Sequence, residues 1–433
     1  MSKWAKVFWK NRSFIHFLIY SLSTYVSITI NCLPITKSQD WNMISRNIQT
    51  SLLSICLFVF PIFVFSQSTT EESISLLFVG DIMGHGPQIK SAEIKRNLSY
   101  NYKPCFEYIA PIIRKADLAI GNLEVTLPGS PPYRGYPIFR SPDDLARDLK
   151  WAGFDMLVTA NNHANDGGKK GVLHTIEVLR NSGIHQTGTF RNKEEKALLY
   201  PLIVHNKGFK LAFLNYTYST NDIATRPPTV VNSLNKYALD RDIQKAKKQQ
   251  PDAIIAIVHW GEEYQLIESH KQRQLAEWMS KKGVDIIIGA HPHVVQPITT
   301  IPNGTQPTLI AYSLGNFISN QDQPHTDGGI MLEIELRKST TSKETIVHNT
   351  RFIPIWRYIK KGSTKDTYQV LPISAVESTQ SRLRLPPQDR AAMRNFARTT
   401  RNRLRHHGAV EKRVTWSDIF GKRPTKKQIS FKN

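Results

Sequence analysis

From residue 73 onward the chain repeats one arrangement, a short apolar run rich in β-branched residues that closes on polar side chains of the kind that hold ions. The runs span 74–81, 116–124, 154–163, 253–261, 284–293 and 308–316. Continuous apolar runs without alternation read as strands covered on both faces, which fits a largely parallel sheet. Between them lie segments with legible helix ends. Ser141 offers an N-cap, Pro142 a first helical position and Asp143 and Asp144 acids for the first turn, with a stop at Gly153. The segments 168–183 and 269–283 likewise end on a glycine suited to a left-handed cap. The grammar is β-α-β, and an α/β architecture with right-handed crossovers follows.

In open α/β sheets the ligand crevice lies beyond the carboxyl ends of the strands. Here those ends carry Asp81, Asn122, Glu124, Asn161, Asn162, His163, His259, Glu262, His291, His293 and Asn316. His291 and His293, one residue apart in a loop after a buried strand, can project toward one centre. Oxygen and imidazole donors without thiolate select Mn, Fe, Zn or Mg. Such a set suits a one- or two-ion hydrolytic site in which a carboxylate bridges the ions and an uncoordinated histidine protonates the leaving group. His163, preceded by two amides, is the candidate general acid. The Tyr133–Pro137 stretch offers Arg134 to an anionic group.

The charge points elsewhere at first. The 433 residues carry a formal net charge of +22, which resembles a nucleic-acid binder. Residues 1–66 hold 6 basic residues against 1 acid, and residues 381–433 hold 15 against 3, so the intervening chain is nearly balanced. A basic cleft on the folded part is therefore not implied, and nucleic acid is not an expected partner. Near the N-terminus, Arg46 precedes the uncharged apolar run 52–65 and then the small Ser66, the form of a secretory signal; Met43 would serve as its start. One uncleaved membrane anchor, or two spans including the run 14–33, are the alternatives. Each places the remainder outside the cytoplasm, in the periplasm or at the cell surface. Of Cys32, Cys56 and Cys105, only Cys105 follows the apolar runs, so no disulfide within the exported part is expected.

Six motifs now stand in order: Gly80-Asp81-Ile82-Met83, Gly121-Asn122-Leu123-Glu124, Ala160-Asn161-Asn162-His163, His259-Trp260-Gly261-Glu262-Glu263-Tyr264, 289–297 around His291-Pro292-His293, and 312–317 around Asn316. Together they resemble the signature set of the CapA family, associated with poly-γ-glutamate capsule synthesis and similar to calcineurin-like metallophosphoesterases. The resemblance runs from about residue 73 to 357. It implies a four-layer α-β-β-α sandwich of two mixed sheets, and a centre of one or two divalent ions, with Mn, Fe or Zn foremost. Asp81 and His293 would ligate the first ion, Asn162, His259 and His291 the second, and Glu124 would bridge them. Asn122, Asn161, Glu262, Asn316 and Arg134 would face the substrate. Two departures from the phosphoesterases, both typical of the CapA-like branch, stand out: Met83 occupies the place of their histidine, with His85 nearby as a substitute, and Asn122 stands in place of their Asp, with the acid two residues later at Glu124. The resemblance implies an envelope hydrolase acting on a phosphoester-type bond in the synthesis or release of an anionic polymer. The alternative is a non-catalytic polymer-binding or export component working with membrane-embedded capsule synthesis proteins. The expected organisation is an N-terminal segment 1–66, a domain 67–360, and a basic tail 361–433, partly helical or disordered, that tethers the protein to an anionic surface.

Overall fold

The computed structural model describes residues 71–95, 99–304, 306–405, 408–421 and 430–431. The signal or anchor expected within 1–66 lies outside them. Among the described residues no helix is long and apolar enough to cross a membrane.

The elements that position the site are, in order, β1 (Glu71–Ile82), β2 (Leu118–Leu123), α1 (Asp144–Ala152), β3 (Met156–Val158), α2 (Gly168–Asn181), β4 (His185–Thr187), α3 (Lys193–Leu199), β5 (Leu202–Asn206) and β6 (Phe209–Thr217). They continue with α4 (Lys236–Lys248), β7 (Ala253–His259), α5 (His270–Lys281), β8 (Ile286–Ala290), β9 (Ile298–Ile301), β10 (Thr308–Ala311) and β11 (Asn316–Ile318). The chain closes with β12 (Gly328–Ser339), β13 (Thr345–Lys360), β14 (Thr367–Pro372), α6 (Pro387–Leu404), β15 (Val410–Glu411) and α7 (Trp416–Phe420). One sheet runs β14-β13-β12-β1-β2-β3-β4, with β11 beside β1 and β15 beside β13. The other runs β9-β10-β8-β7-β6-β5, with the short strand Ser430–Phe431 antiparallel beside β5 at its edge. Both are mixed: β1, β2, β3 and β4 are parallel and β12 to β14 antiparallel, while β6, β7, β8 and β10 are parallel and flanked by antiparallel β5 and β9.

Side-chain alternation within each buried strand makes four layers. On β1, Leu76 and Phe78 face the space between the sheets, and Leu77 and Val79 face the outer helices. On β7, Ile255 and Ile257 point inward to the same inter-sheet core, while Ile254, Ala256 and Val258 meet α4 and α5 on the other outer face. Each such fully buried side chain contributes about 1.5–3 kcal/mol. The result is the α-β-β-α sandwich.

The helices expected at 141–153, 168–183 and 269–283 are α1, α2 and α5, and Gly153, Gly183 and Gly283 take φ of 112°, 68° and 90° after them. Ser141 does not cap α1; the helix begins at Asp144, and Asp143 Oδ2 is engaged with His174 Nε2 at 2.8 Å.

Beyond residue 360 the structure differs from the expected tail. β14 extends the first sheet by pairing Thr367–Pro372 with β13. α6 is helical as its composition implies, but it inserts Met393, Phe396, Ala397 and Leu404 into the inter-sheet core. Arg401 holds this region together, donating to both oxygens of Glu377 at 2.8 and 2.7 Å and to both of Glu411 at 2.8 Å. Trp416 and Ile419 of α7 join the outer core of the first sheet. The folded unit therefore has no boundary at 360.

Candidate metal centre

The carboxyl ends of β1, β2, β3, β7 and β8 converge where the two sheets meet. Two glycines allow the approach. A β carbon on Gly80 would lie 1.8 Å from the carbonyl oxygen of Gly315, and one on Gly289 would lie 1.8 Å from that of Tyr312. The first contact brings Asp81 beside Asn316, with Asp81 N donating to Gly315 O at 3.0 Å. His291 and His293 both take positive φ, 102° and 59°, so the loop after β8 folds back over the strand ends.

Glu124 is the centre of the cluster. It is fully buried, and neither carboxylate oxygen has a hydrogen-bond partner. It belongs to two three-residue groups, with His291 and His293 and with Asp81 and His259, whose donor atoms lie within 4.8 Å of one another. His259 Nε2 is 3.4 Å from Glu124 Oε1, and His293 Nδ1 is 3.1 Å from Asp81 Oδ2. Burial, and then the neighbouring Asp81, pushes the Glu124 carboxyl well above its ordinary range. Burial, followed by the other imidazoles, holds His259 and His291 well below theirs. Both imidazoles are thus neutral with lone pairs to give, and the buried Nδ1 of His291 has no partner. Unsatisfied buried donors of this kind are costly unless a cation completes them. Nitrogen and oxygen ligands without thiolate fit a divalent ion such as Mn, Fe or Zn.

Asn162 lies in the same cluster, its Oδ1 2.9 Å from His259 Nε2. Next to it, His163 Nδ1 is 2.7 Å from Asp166 Oδ2, which also accepts the Phe139 amide at 2.6 Å. The Phe139 ring stands edge-on to the His163 ring, with centroids 4.6 Å apart. The imidazole is therefore fixed in both plane and tautomer.

Asn122, Asn161 and Asn316, expected at the substrate, lie instead behind the ligands. Asn122 Nδ2 donates to Asp81 Oδ1 at 2.8 Å and sits 3.3 Å from His259 Nδ1. Asn161 Nδ2 donates to Leu123 O at 2.7 Å, and its Oδ1 accepts from His163 N at 3.2 Å. Asn316 Oδ1 is 3.1 Å from His293 Nδ1, while its amide donates to Thr326 O at 2.9 Å. All three are buried; Asn122 and Asn316 hold the side chains of Asp81 and His293, while Asn161 ties the backbone of Leu123 to that of His163. Glu262 is exposed, and its neighbour Glu263 is the residue that reaches the centre, 4.0 Å from His293 Nε2. Arg134 is exposed in a turn whose backbone pairs with Arg140. Met83 is buried in the outer core, and His85, whose Nδ1 is occupied by Gln88 Oε1 at 3.1 Å and the Asn320 amide at 3.2 Å, belongs to neither three-residue group.

Besides Glu263, three residues were not legible as site residues. Asp166 reads as the start of a helix, although its spacing of three from His163 is a usable signal. Tyr218 lies tilted against His291 with ring centroids 4.6 Å apart and is 45% exposed, which puts its phenol at the mouth. Tyr264, 6.2 Å from the ring of His293, flanks the other side.

A capsule biosynthesis protein CapA from Bacillus anthracis is 32% identical over 283 residues, covering 63% of this chain and 66% of that protein, just under two thirds of its length. The PGA biosynthesis protein CapA of Bacillus subtilis (strain 168) is 31% identical over 310 residues, covering 69% of this chain and 77% of that one. Among solved structures, the calcineurin-like phosphoesterase YfkN from Bacillus subtilis matches 77% of this chain and 98% of its own at 14% identity and a TM-score of 0.41. The NAD nucleotidase NadN of Haemophilus influenzae matches 81% of this chain and 66% of its own, with a TM-score of 0.44. The profile of the bacterial capsule synthesis protein PGA_cap spans residues 75–321, more than half of the chain and all six strand-end motifs, and the chain belongs to that family.

Proposed function

We propose that the protein is a metal-dependent hydrolase that cleaves a phosphoester-type bond in the synthesis or release of an anionic capsule polymer. The observation that carries this reading is Glu124, a buried carboxylate with both oxygens unpartnered and common to two sets of ligand-type side chains. A divalent ion held by Asp81, Glu124, Asn162, His259, His291 and His293 would supply a Lewis acid that acidifies water and neutralises phosphoryl charge. The chain's own residues do the rest. Asp166 accepts from His163 Nδ1–H and would stabilise the imidazolium form, whose Nε2–H passes a proton to the departing oxygen. Asn122 and Asn316 keep the side chains of Asp81 and His293 in place, so little reorganisation is required as charge develops. Tyr218 and Tyr264 border the entrance beside His291 and His293. The apolar run 52–65 ending at Ser66 supports export, with the folded unit in the periplasm or at the cell surface beside membrane-embedded synthesis proteins.

The test is turnover of aryl phosphomonoesters and diesters by the purified full chain, with metal, after chelation and after metal is restored. The reading predicts activity lost on chelation and recovered with Mn, Fe or Zn. Full metal content with no hydrolysis of any member of the panel would contradict it and favour a polymer-holding role.

A further inference from the structure

On the outer face of the second sheet, α3 and α4 enclose a cavity of about 490 Å³. Its lining brings together Lys193 and Lys196 from α3 and Arg241 and Lys245 from α4, against a single carboxylate, Asp242, among the described lining residues. That carboxylate is already engaged. Its Oδ2 accepts the Tyr216 phenol at 2.7 Å, and its Oδ1 accepts Arg241 Nε at 3.1 Å. Lys245 Nζ is pinned by the carbonyls of Ala197 and Tyr200 at 2.6 and 2.5 Å. Lys196 is left with the weakest arrangement. Its side chain is 18% exposed, and its ammonium lies 3.7 Å from Asp242 Oδ2, longer than a hydrogen bond. Burial, with Arg241 and Lys245 adding positive charge, holds that ammonium below the ordinary lysine value in spite of Asp242. Lys196 shares its one carboxylate, Asp242, with Tyr216 and Arg241, so an anion entering the cavity would give the ammonium a closer acceptor.

The walls also limit what can enter. The Tyr200 ring lies 5.4 Å from Lys196 Nζ, and Val230 adds an apolar surface, so a carbon-bearing anion finds contacts that a bare ion does not. The volume is in the range of small-molecule sites. A second cavity of about 250 Å³ shares Tyr200 and Lys245 as a common wall and adds Lys210, which prolongs the basic lining.

We propose that this cavity is an anion-binding site separate from the metal centre, taking a carboxylate or phosphate group on a small organic carrier, with Lys196 as its principal ligand. It stands independently of the hydrolytic reading.

The experiment is calorimetric titration of the full chain with inorganic phosphate and, separately, with glutarate. It is repeated on the His291→Ala/His293→Ala double variant, in which the metal centre cannot contribute. Binding should persist in the double variant and weaken at least about tenfold in Lys196→Met, which keeps the side-chain stem over Tyr200. The stronger of the two arms identifies phosphate or carboxylate as the preferred group. Added anion should raise the melting temperature of the parent and leave that of Lys196→Met unchanged. Lys193→Met, at an exposed position, gives a second and milder loss should Lys196→Met fold poorly. Absence of binding by either anion, or binding that neither lysine substitution changes, would overturn the proposal.

Discussion

Arg403 Nη1 donates to the carbonyl oxygen of Val295 at 2.8 Å, tying the last turn of α6 to the loop that carries His291 and His293. The basic C-terminal helix is thereby part of the support of the metal centre, in addition to filling the core with Met393 and Phe396.

Truncation after residue 380 should therefore abolish cooperative unfolding, because it strips Leu385, Met393, Phe396, Ala397 and Leu404 from the inter-sheet core. Met393→Ala alone should cost about 2–5 kcal/mol. Arg403→Met should cost about 1–3 kcal/mol through the loss of a donor to a buried carbonyl, and should weaken metal affinity by loosening the loop. Urea unfolding and metal titration check both. A truncated chain that unfolds with unchanged midpoint and slope would show that the helix is dispensable.

His163→Ala should lower turnover of substrates with poor leaving groups by about 10²–10⁴ while leaving metal content intact. Asp166→Asn should give a smaller loss of the same kind, since it removes the acceptor that orients the ring. Activated aryl leaving groups should suffer less in both variants. An equal loss for all leaving groups would rule out proton donation by His163.

Stability should fall between pH 6.5 and about 4. Burial lowers the imidazoles of His85 and His185 from 6.5 to about 4 in the folded chain. Above 6.5 neither state is protonated, so the contribution is complete. As pH falls through the window, the unfolded chain takes up protons that the folded chain resists, and the contribution is lost, levelling off below 4. His85 is the more buried and should contribute more than His185, which solvent screens. His185→Gln should flatten part of the decline in unfolding free energy measured from pH 7 to 4; an unchanged slope would exclude it as a contributor.

Cys105 should resist alkylation in the native protein. It is buried, and burial pushes its thiol up to about 12. Iodoacetamide should label it only in denaturant, at neutral pH, since the thiolate is the reactive form. Rapid labelling without denaturant would show that the surrounding core opens.

The strands and their terminal ligands were legible because a buried parallel strand is a continuous apolar run whose end is marked by a sudden change to Asp, Asn or His. Asp81, Glu124, Asn162, His259, His291 and His293 follow from that rule and meet in space. Asp166 and Glu263 do not, because their positions are set by how a loop folds after the strand and no periodicity records it. The roles of Asn122, Asn161 and Asn316 were hidden for a similar reason: an amide beside a ligand can face inward to its neighbours or outward to substrate, and only packing decides. The C-terminal region was misleading because eight arginines between 382 and 405 dominate its composition. The apolar face of Met393, Phe396, Ala397 and Leu404 was visible, but the surface that it covers is made by strands distant in sequence.

The shared carboxylate is the centre of the account, and elemental analysis of the purified full chain measures it most directly. The account predicts at least one Mn, Fe or Zn ion per chain, lost in His291→Ala/His293→Ala and strongly reduced in Glu124→Ala with the fold retained by circular dichroism. A parent protein that binds no divalent ion after exposure to each metal, or a double variant that keeps full metal content, would contradict it.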